Sequence, residues 1–415
     1  MNMSSSADSS LRLPWAGKNV NLNQVEKELS FLWKMAADNV RTSQNINVRT
    51  SVLNLVIYTP DTESAQHVSM LMRDLSSTHI ARIIILILDR STSISALSTW
   101  VTIRSFPIIS DTMRHNFEQV TVLASATALA TIMQPLLKPD LPVYLWWLGD
   151  PSNDVTLFHN LVEQSSRVII DSASFVHPEQ SLHMLSALLE ASPTWALSDF
   201  NWGRITLWRT LIAQFFDVAE YKPYLAGVET IEIAHVVLPS AQRLPTSQGD
   251  VLANPLCALL LAGWLKTRLG WKLATDTTRD QHDVHTGTHT WHMIRATTDS
   301  LTRQTGPLNK TVHSTRRGTI HIHPQVSSDM QPGSLCLVRL ISHVEGKRAT
   351  FTINREDDPD HVSTSVELAQ ESRPQRTVSM AAIYKESDLL HDELEITGHD
   401  YLYEETLREM FALLD

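Results

Sequence analysis

The chain has 415 residues, 43% of them hydrophobic and 19% charged, with a formal net charge of −11 from 34 basic and 45 acidic residues. Such a length fits two or three domains with ordinary cores, and the acidic balance repels phosphate backbones, which argues against nucleic acid as a partner. The most apolar stretches, residues 83–88 and 258–265, are too short to span a bilayer, so no membrane segment is expected.

The polar, Ser-rich start lacks the basic and apolar regions of a signal peptide. It reads as a disordered tail over residues 1–20 of a cytoplasmic protein. Residues 23–40 read as an amphipathic helix, because Val25, Leu29, Leu32, Ala36 and Val40 recur at steps of four and three. A strand over 50–59, rich in β-branched residues, stops at Pro60, and a helix follows over 63–77. Residues 80–88 are a continuous apolar run ending at Asp89, as in a strand buried on both faces of a parallel sheet. Further strands are read at 99–104 and 118–123, then a helix over 125–137 closed by Pro139 and Pro142. A strand over 141–147 leads into a turn at Gly149-Asp150-Pro151. A helix over 157–164, a strand over 167–171 and a helix over 178–190 complete this βα alternation.

The pattern changes beyond residue 199. A helix is read over 202–216, with Ile205, Trp208, Ile212 and Phe216 along one side. A strand follows at 230–237 and a strongly apolar helix at 255–269. Antiparallel strands are read at 289–296, 318–323, 334–342 and 349–354, and 388–414 is helical and acidic. The fold class is therefore α/β: an N-terminal domain over 21–170 with a mostly parallel sheet and flanking helices, followed by an α+β C-terminal domain over 171–415.

Standard catalytic motifs are missing. There is no GxGxxG, GxxxxGK[ST], GxSxG or HExxH. The 13 glycines are about half the average share, which counts against a nucleotide site, and no cofactor is expected. His282, His285, His289 and His292 have a zinc-like spacing. Gly287 and the surrounding threonines favour a loop running into a strand, where His289 and His292 point to opposite faces, so no metal is expected. Asp358, Asp360 and His361 read as a solvated turn around Pro359, and Arg316-Arg317 as another. The two cysteines, Cys257 and Cys336, fit a reducing compartment and buried, inert thiols.

Two segments are rich in aromatics. In 140–151 a strand ends in Trp146-Trp147 and turns at Asp150, at the kind of strand end where α/β proteins build sites. These tryptophans either line a partner surface or pack in the core. In 199–209, Asp199 is placed to cap a helix, and Arg204 and Trp208 stand four apart, a spacing that permits a cation–π stack. Arg204 and Arg209 could grip a carboxylate or sugar phosphate, or anchor the helix to Asp171.

LPVYLWWLGDP (141–151), RVIIDSASF (167–175) and LSDFNWGRITLWRTLIAQFFD (197–217), with the early TSVLNLVIYTP (50–60), resemble successive signature stretches of the OpcA family. The resemblance covers roughly residue 20 onward. It implies an N-terminal assembly domain and a C-terminal domain. It also implies a non-catalytic role as allosteric activator or assembly factor of glucose-6-phosphate dehydrogenase in the oxidative pentose phosphate pathway. Trp146, Trp147, Asp150, Arg204, Trp208 and Arg209 are then the residues expected at the partner surface. The alternative is a sugar-phosphate-binding enzyme or sensor built on Arg204, Arg209 and the strand ends near Asp150 and Asp171.

Overall fold

The computed structural model describes residues 13–41, 46–48, 51–75, 81–91, 97–107, 113–191, 194–239, 254–274, 281–283, 286–299, 312–355, 358–368, 371–379 and 385–414. The expected tail up to residue 12, and His285, lie outside them. The described chain forms two compact units, residues 1–170 with 194–196, and residues 171–193 with 197–415.

The first unit runs β1 (Lys18–Val20), α1 (Val25–Arg41), β2 (Ile46–Val48), β3 (Leu53–Thr59), α2 (Thr62–Leu75), β4 (Ala81–Leu88), β5 (Ser98–Pro107), β6 (Met113–Ala124), α3 (Ala126–Leu136), β7 (Val143–Trp147), α4 (Val155–Val162) and β8 (Arg167–Ile170). Every residue of β3 and β4 is buried, and both are mostly apolar, as strands covered on both faces of a parallel sheet are. The strands β6, β4, β3, β7 and β8 lie side by side in that order and all run parallel. Taken in chain order this is 3-2-1-4-5, so the winding reverses between β3 and β7. The strand at 99–104 departs from the parallel expectation: β5 pairs antiparallel with β6, and β1 antiparallel with β5.

Helix α1 seats Val25, Leu29 and Trp33 inward, a strict step of four, with Trp33 rather than Leu32 on the buried line. The Trp33 indole donates to the Glu118 carboxylate at 2.6 Å. Glu118 also lies 3.4 Å from Arg82 and 3.5 Å from Lys138, and Arg82 reaches Glu26. A carboxylate buried in the sheet is thus held by two cations and an indole, the pairing that makes buried charge tolerable.

The second unit carries α5 (Pro178–Glu190), β9 (Ala196–Asp199, whose first residue belongs with the first unit), α6 (Phe200–Arg204), α7 (Thr206–Asp217), β10 (Val228–Val237), α8 (Leu256–Leu269), β11 (Lys272–Leu273), β12 (Gln281–Asp283), β13 (Thr288–Asp299), β14 (Val312–Val326), β15 (Leu335–Val344), β16 (Lys347–Asn354), β17 (His361–Leu368), β18 (Glu371–Ser379), α9 (Glu386–Glu395) and α10 (Tyr401–Leu414). Its sheet runs β11-β13-β14-β10-β15-β16-β17-β18, with β12 on β13. The pairs are antiparallel except for parallel β10 and β14. Helix α8 is buried almost all round. Gly263 admits α10, since a Cβ there would meet the Thr406 carbonyl oxygen at 2.9 Å.

Several expectations are corrected here. The helix expected over 202–216 is two helices, broken at Ile205. The Trp202 carbonyl, which an unbroken helix would use for the Thr206 amide, accepts instead from the Thr206 hydroxyl and the Arg209 guanidinium. Arg316 and Arg317 lie in β14 opposite Arg295 and Ile294, not in a turn. The strands β17 (His361–Leu368) and β18 (Glu371–Ser379) lie in a stretch where the sequence pattern predicts no element. The helix expected over 388–414 is interrupted at Gly398, whose φ is 80°.

Candidate functional site

Open α/β sheets build their sites outside the carboxyl ends of strands, where the winding reverses. In the first unit that point lies between β3 and β7. Tyr58 and Trp147 are register partners there, and their rings stack at 3.7 Å with an interplanar angle of 12°. Phe158 meets Trp147 edge-on at 4.9 Å. The Tyr58 hydroxyl donates to Asp154 at 3.0 Å and Arg90 donates to the same oxygen at 2.6 Å. Burial and the Asp154 charge raise the Tyr58 pKa. After β3 the chain reads Thr59-Pro60-Asp61-Thr62-Glu63. Asp61 accepts the Ser64 amide at 2.7 Å, which fills part of the N-terminus of α2 with the protein's own carboxylate.

Trp146 and Trp147 are 1% and 0% exposed, and Asp150 is 4% exposed. The expectation of exposed tryptophans at this turn is therefore corrected: β7 directs both into the core of the first unit, and Asp150 turns back to accept from the Ser152 amide and hydroxyl.

The second unit holds a denser constellation, assembled from the signature segments. Asp171 follows β8 and caps a single 3-10 turn at Ser172–Ser174. Arg204 grips it through both terminal nitrogens, Nη1 to Oδ1 at 2.5 Å and Nη2 to Oδ2 at 2.8 Å. Asp199 caps α6 as the sequence suggested, accepting from the Asn201 amide at 2.9 Å. It also accepts from the Ser172 amide at 3.0 Å and the Tyr403 hydroxyl at 3.3 Å. Desolvation outweighs these bonds and pushes the Asp199 carboxyl up to about 6. The Asn201 side chain donates to the Ser172 hydroxyl and accepts from the Cys257 thiol, both at 2.9 Å. Asn254 donates to the carbonyls of Ser172 and Phe175 and accepts the Leu256 amide at the start of α8.

Arg204 does not stack on Trp208. The stacked arginine is Arg209, whose guanidinium carbon lies 3.4 Å from the centre of the Trp202 ring, while the Trp202 indole donates to Asp400 at 2.9 Å. Trp208 is buried. Arg204 and Arg209 are part-exposed. A cavity of about 160 Å3 adjoins this network, with Arg204, Trp208, Asn254, Cys257 and Arg355 in its wall. Arg355 and Asn254 carried no sequence signal: one lies in an acidic turn and the other just before an apolar helix.

The histidine-rich stretch is a β12–β13 pair in which the backbone of His282 is in register with His289, and His292 lies on the other face of β13 from His289. Among the described residues no group of three or more His, Cys, Asp or Glu side chains is arranged to hold a metal. Asp358 and His361 form an exposed pair at 2.8 Å. Both cysteines are buried. No helix among the described residues is long and apolar enough to cross a membrane.

Comparison with known proteins bears directly on these segments. Residues 72–187 match a family model described as the glucose-6-phosphate dehydrogenase subunit N-terminal domain, and residues 195–407 its C-terminal domain. OpcA of Synechocystis sp. is 31% identical over 157 residues, 37% of this chain and 30% of that protein. OpcA of Nostoc punctiforme is 33% identical over 158 residues, again 37% and 30%. The matched stretch thus spans under a third of each relative. Among solved structures, similarity extends to biliverdin reductase from Synechocystis sp. (TM-score 0.43, 11% identity, 88% of this chain and 97% of that one). It extends also to a dehydrogenase from Chromobacterium violaceum (TM-score 0.46, 10% identity, 88% and 94%). The C-terminal model alone covers more than half of the chain, and the chain belongs to the OpcA family.

Proposed function

We propose that this protein is a non-catalytic subunit that binds glucose-6-phosphate dehydrogenase and shifts it toward its more active state, in the oxidative pentose phosphate pathway. The observation that carries the reading is the match of residues 72–187 and 195–407 to the two domains of a glucose-6-phosphate dehydrogenase subunit family. The chemistry at the end of β3 supports it. A dinucleotide pyrophosphate needs close backbone approach and free amides at a helix N-terminus. Here it would meet the Asp61 and Glu63 carboxylates and the stacked Tyr58 and Trp147 rings.

An activator of this kind works by linkage. Binding the active conformation tenfold more tightly shifts the equilibrium tenfold, a coupling of about 1.4 kcal/mol. Of the six side chains expected to meet the partner, the part-exposed Arg204 and Arg209 are the ones proposed to contact it. The other four are buried.

The test is the kinetics of the cognate dehydrogenase titrated with this protein. A saturable rise in turnover, or a saturable fall in KM, is expected, with the stoichiometry given by the break point. No kinetic effect together with no co-elution on a sizing column would overturn the reading.

A further inference from the structure

We propose that the cavity of the second unit is a binding site for a small organic anion, a phosphate ester or a carboxylate. This inference rests on the cavity alone and is independent of the association with the dehydrogenase.

The first ground is charge. The chain carries a net −11, yet among the described residues the cavity wall contains two arginines, Arg204 and Arg355, and no carboxylate. Asp171 stands behind Arg204 and takes its two terminal nitrogens, so the Arg204 charge is largely matched within the protein. Arg355 is different. Its Nε donates to the Pro359 carbonyl at 2.7 Å, and its two terminal nitrogens have no acceptor among the described residues. That single bond to a carbonyl orients the guanidinium and leaves a charged, two-donor edge for a planar or tetrahedral oxyanion.

The second ground is that the wall is preorganised. Asn254 is fixed by its bonds to the carbonyls of Ser172 and Phe175. The backbone at Gly333 lies so close to the backbone of Asn254 that a Cβ would meet the Asn254 main-chain carbonyl oxygen at 2.8 Å, and Gly333 has a φ of 80°. Cys257, on the first turn of α8, faces the same space, so the positive end of that helix adds to the field of the arginines. Ile205, Trp208 and Leu335 supply an apolar wall for a short carbon skeleton. Few convergent polar groups on an apolar wall are the usual make-up of a metabolite site. The volume of about 160 Å3 suits a small metabolite better than a dinucleotide.

The experiment is titration calorimetry on the full chain without the dehydrogenase, using inorganic phosphate, glucose 6-phosphate and citrate as separate probes. Binding of at least one probe is expected. Heat with the first two identifies a phosphate ligand, and heat with citrate alone a carboxylate. In Arg355→Gln the affinity should fall about tenfold to a hundredfold, the scale of one charge-assisted hydrogen bond, with partial recovery in Arg355→Lys. Among the described residues Arg355 makes no ion pair, so the melting temperature of both variants should stay close to that of the parent. No heat with any probe, or unchanged affinity in Arg355→Gln, would overturn the proposal.

Discussion

Arg204 meets Asp171 as a planar fork on a planar carboxylate, with paired contacts of 2.5 and 2.8 Å. The pair ties the end of α6 to the turn that follows β8, and the contact drives the guanidinium pKa upward despite burial. Both side chains are about one-fifth exposed, 17% and 23%, so the geometry rather than full burial gives the pair its value. Arg204→Ala should cost about 1.5–3 kcal/mol in urea unfolding, the scale of charge-assisted bonds. Arg204→Lys should recover less than half, because an ammonium cannot reproduce the fork.

Asp199 should give the second unit an unusual pH response. Burial pushes its carboxyl up to about 6 in the folded state, against an ordinary value of 3.8. The folded state therefore binds the proton more tightly than the unfolded state between those values. Stability from this group is greatest below about 3.8 and declines as pH rises through about 6. Asp199→Asn retains an oxygen for the amides of Ser172 and Asn201 and removes the buried charge. The difference in unfolding free energy between variant and parent should rise in the variant's favour from pH 4 to pH 6, by at most about 1.4 kcal/mol per pH unit. A difference that is flat with pH would show that Asp199 titrates normally.

The sequence made the parallel core legible because its signals are local. An unbroken apolar run such as residues 83–88 has no solvent face, and Pro178 and Asp199 mark helix starts by their own side-chain chemistry. What it hid depends on partners far along the chain. Thr206 and Arg209 compete for the Trp202 carbonyl and split a helix that periodicity joins. The polar β17 inserts only Val362, Thr364 and Val366, too weak an apolar signal to separate a strand from a loop. At the candidate site, the anchoring of Arg204 on Asp171 was one of two open readings. The cavity was invisible, because its wall brings Asn254, Gly333 and Arg355 together from distant parts of the chain.

Trp147 tests the difference between a surface and a core tryptophan. It is fully buried between Tyr58 and Phe158, and its indole N–H has no hydrogen-bond partner among the described residues. Trp147→Ala should cost about 3–5 kcal/mol from the cavity it opens. Trp147→Phe keeps a ring for Tyr58 and removes the unpaired donor, whose burial costs about 1–3 kcal/mol. It should be less destabilising than alanine by at least about 1 kcal/mol, measured by thermal or urea unfolding. Equal costs would mean that the indole donor is satisfied in solution.

Cys257 decides whether this protein responds to oxidants through its own thiols. Burial pushes the thiol up to about 12, further than the nearby Arg204 charge can draw it down, and its hydrogen goes to Asn201. The reactive species is the thiolate, so at pH 8 the folded protein should give almost no fast reaction with a disulfide reagent. Cys336 is buried as well. Unfolding in guanidinium should release both thiols together. Asn201→Ala should leave the thiol slow while destabilising the fold, since desolvation rather than the Asn201 bond holds the proton. Rapid labelling of Cys257 in the native state would instead require an opening of the α8 N-terminus on the labelling timescale, and hydrogen exchange at residues 256–258 would detect the same opening.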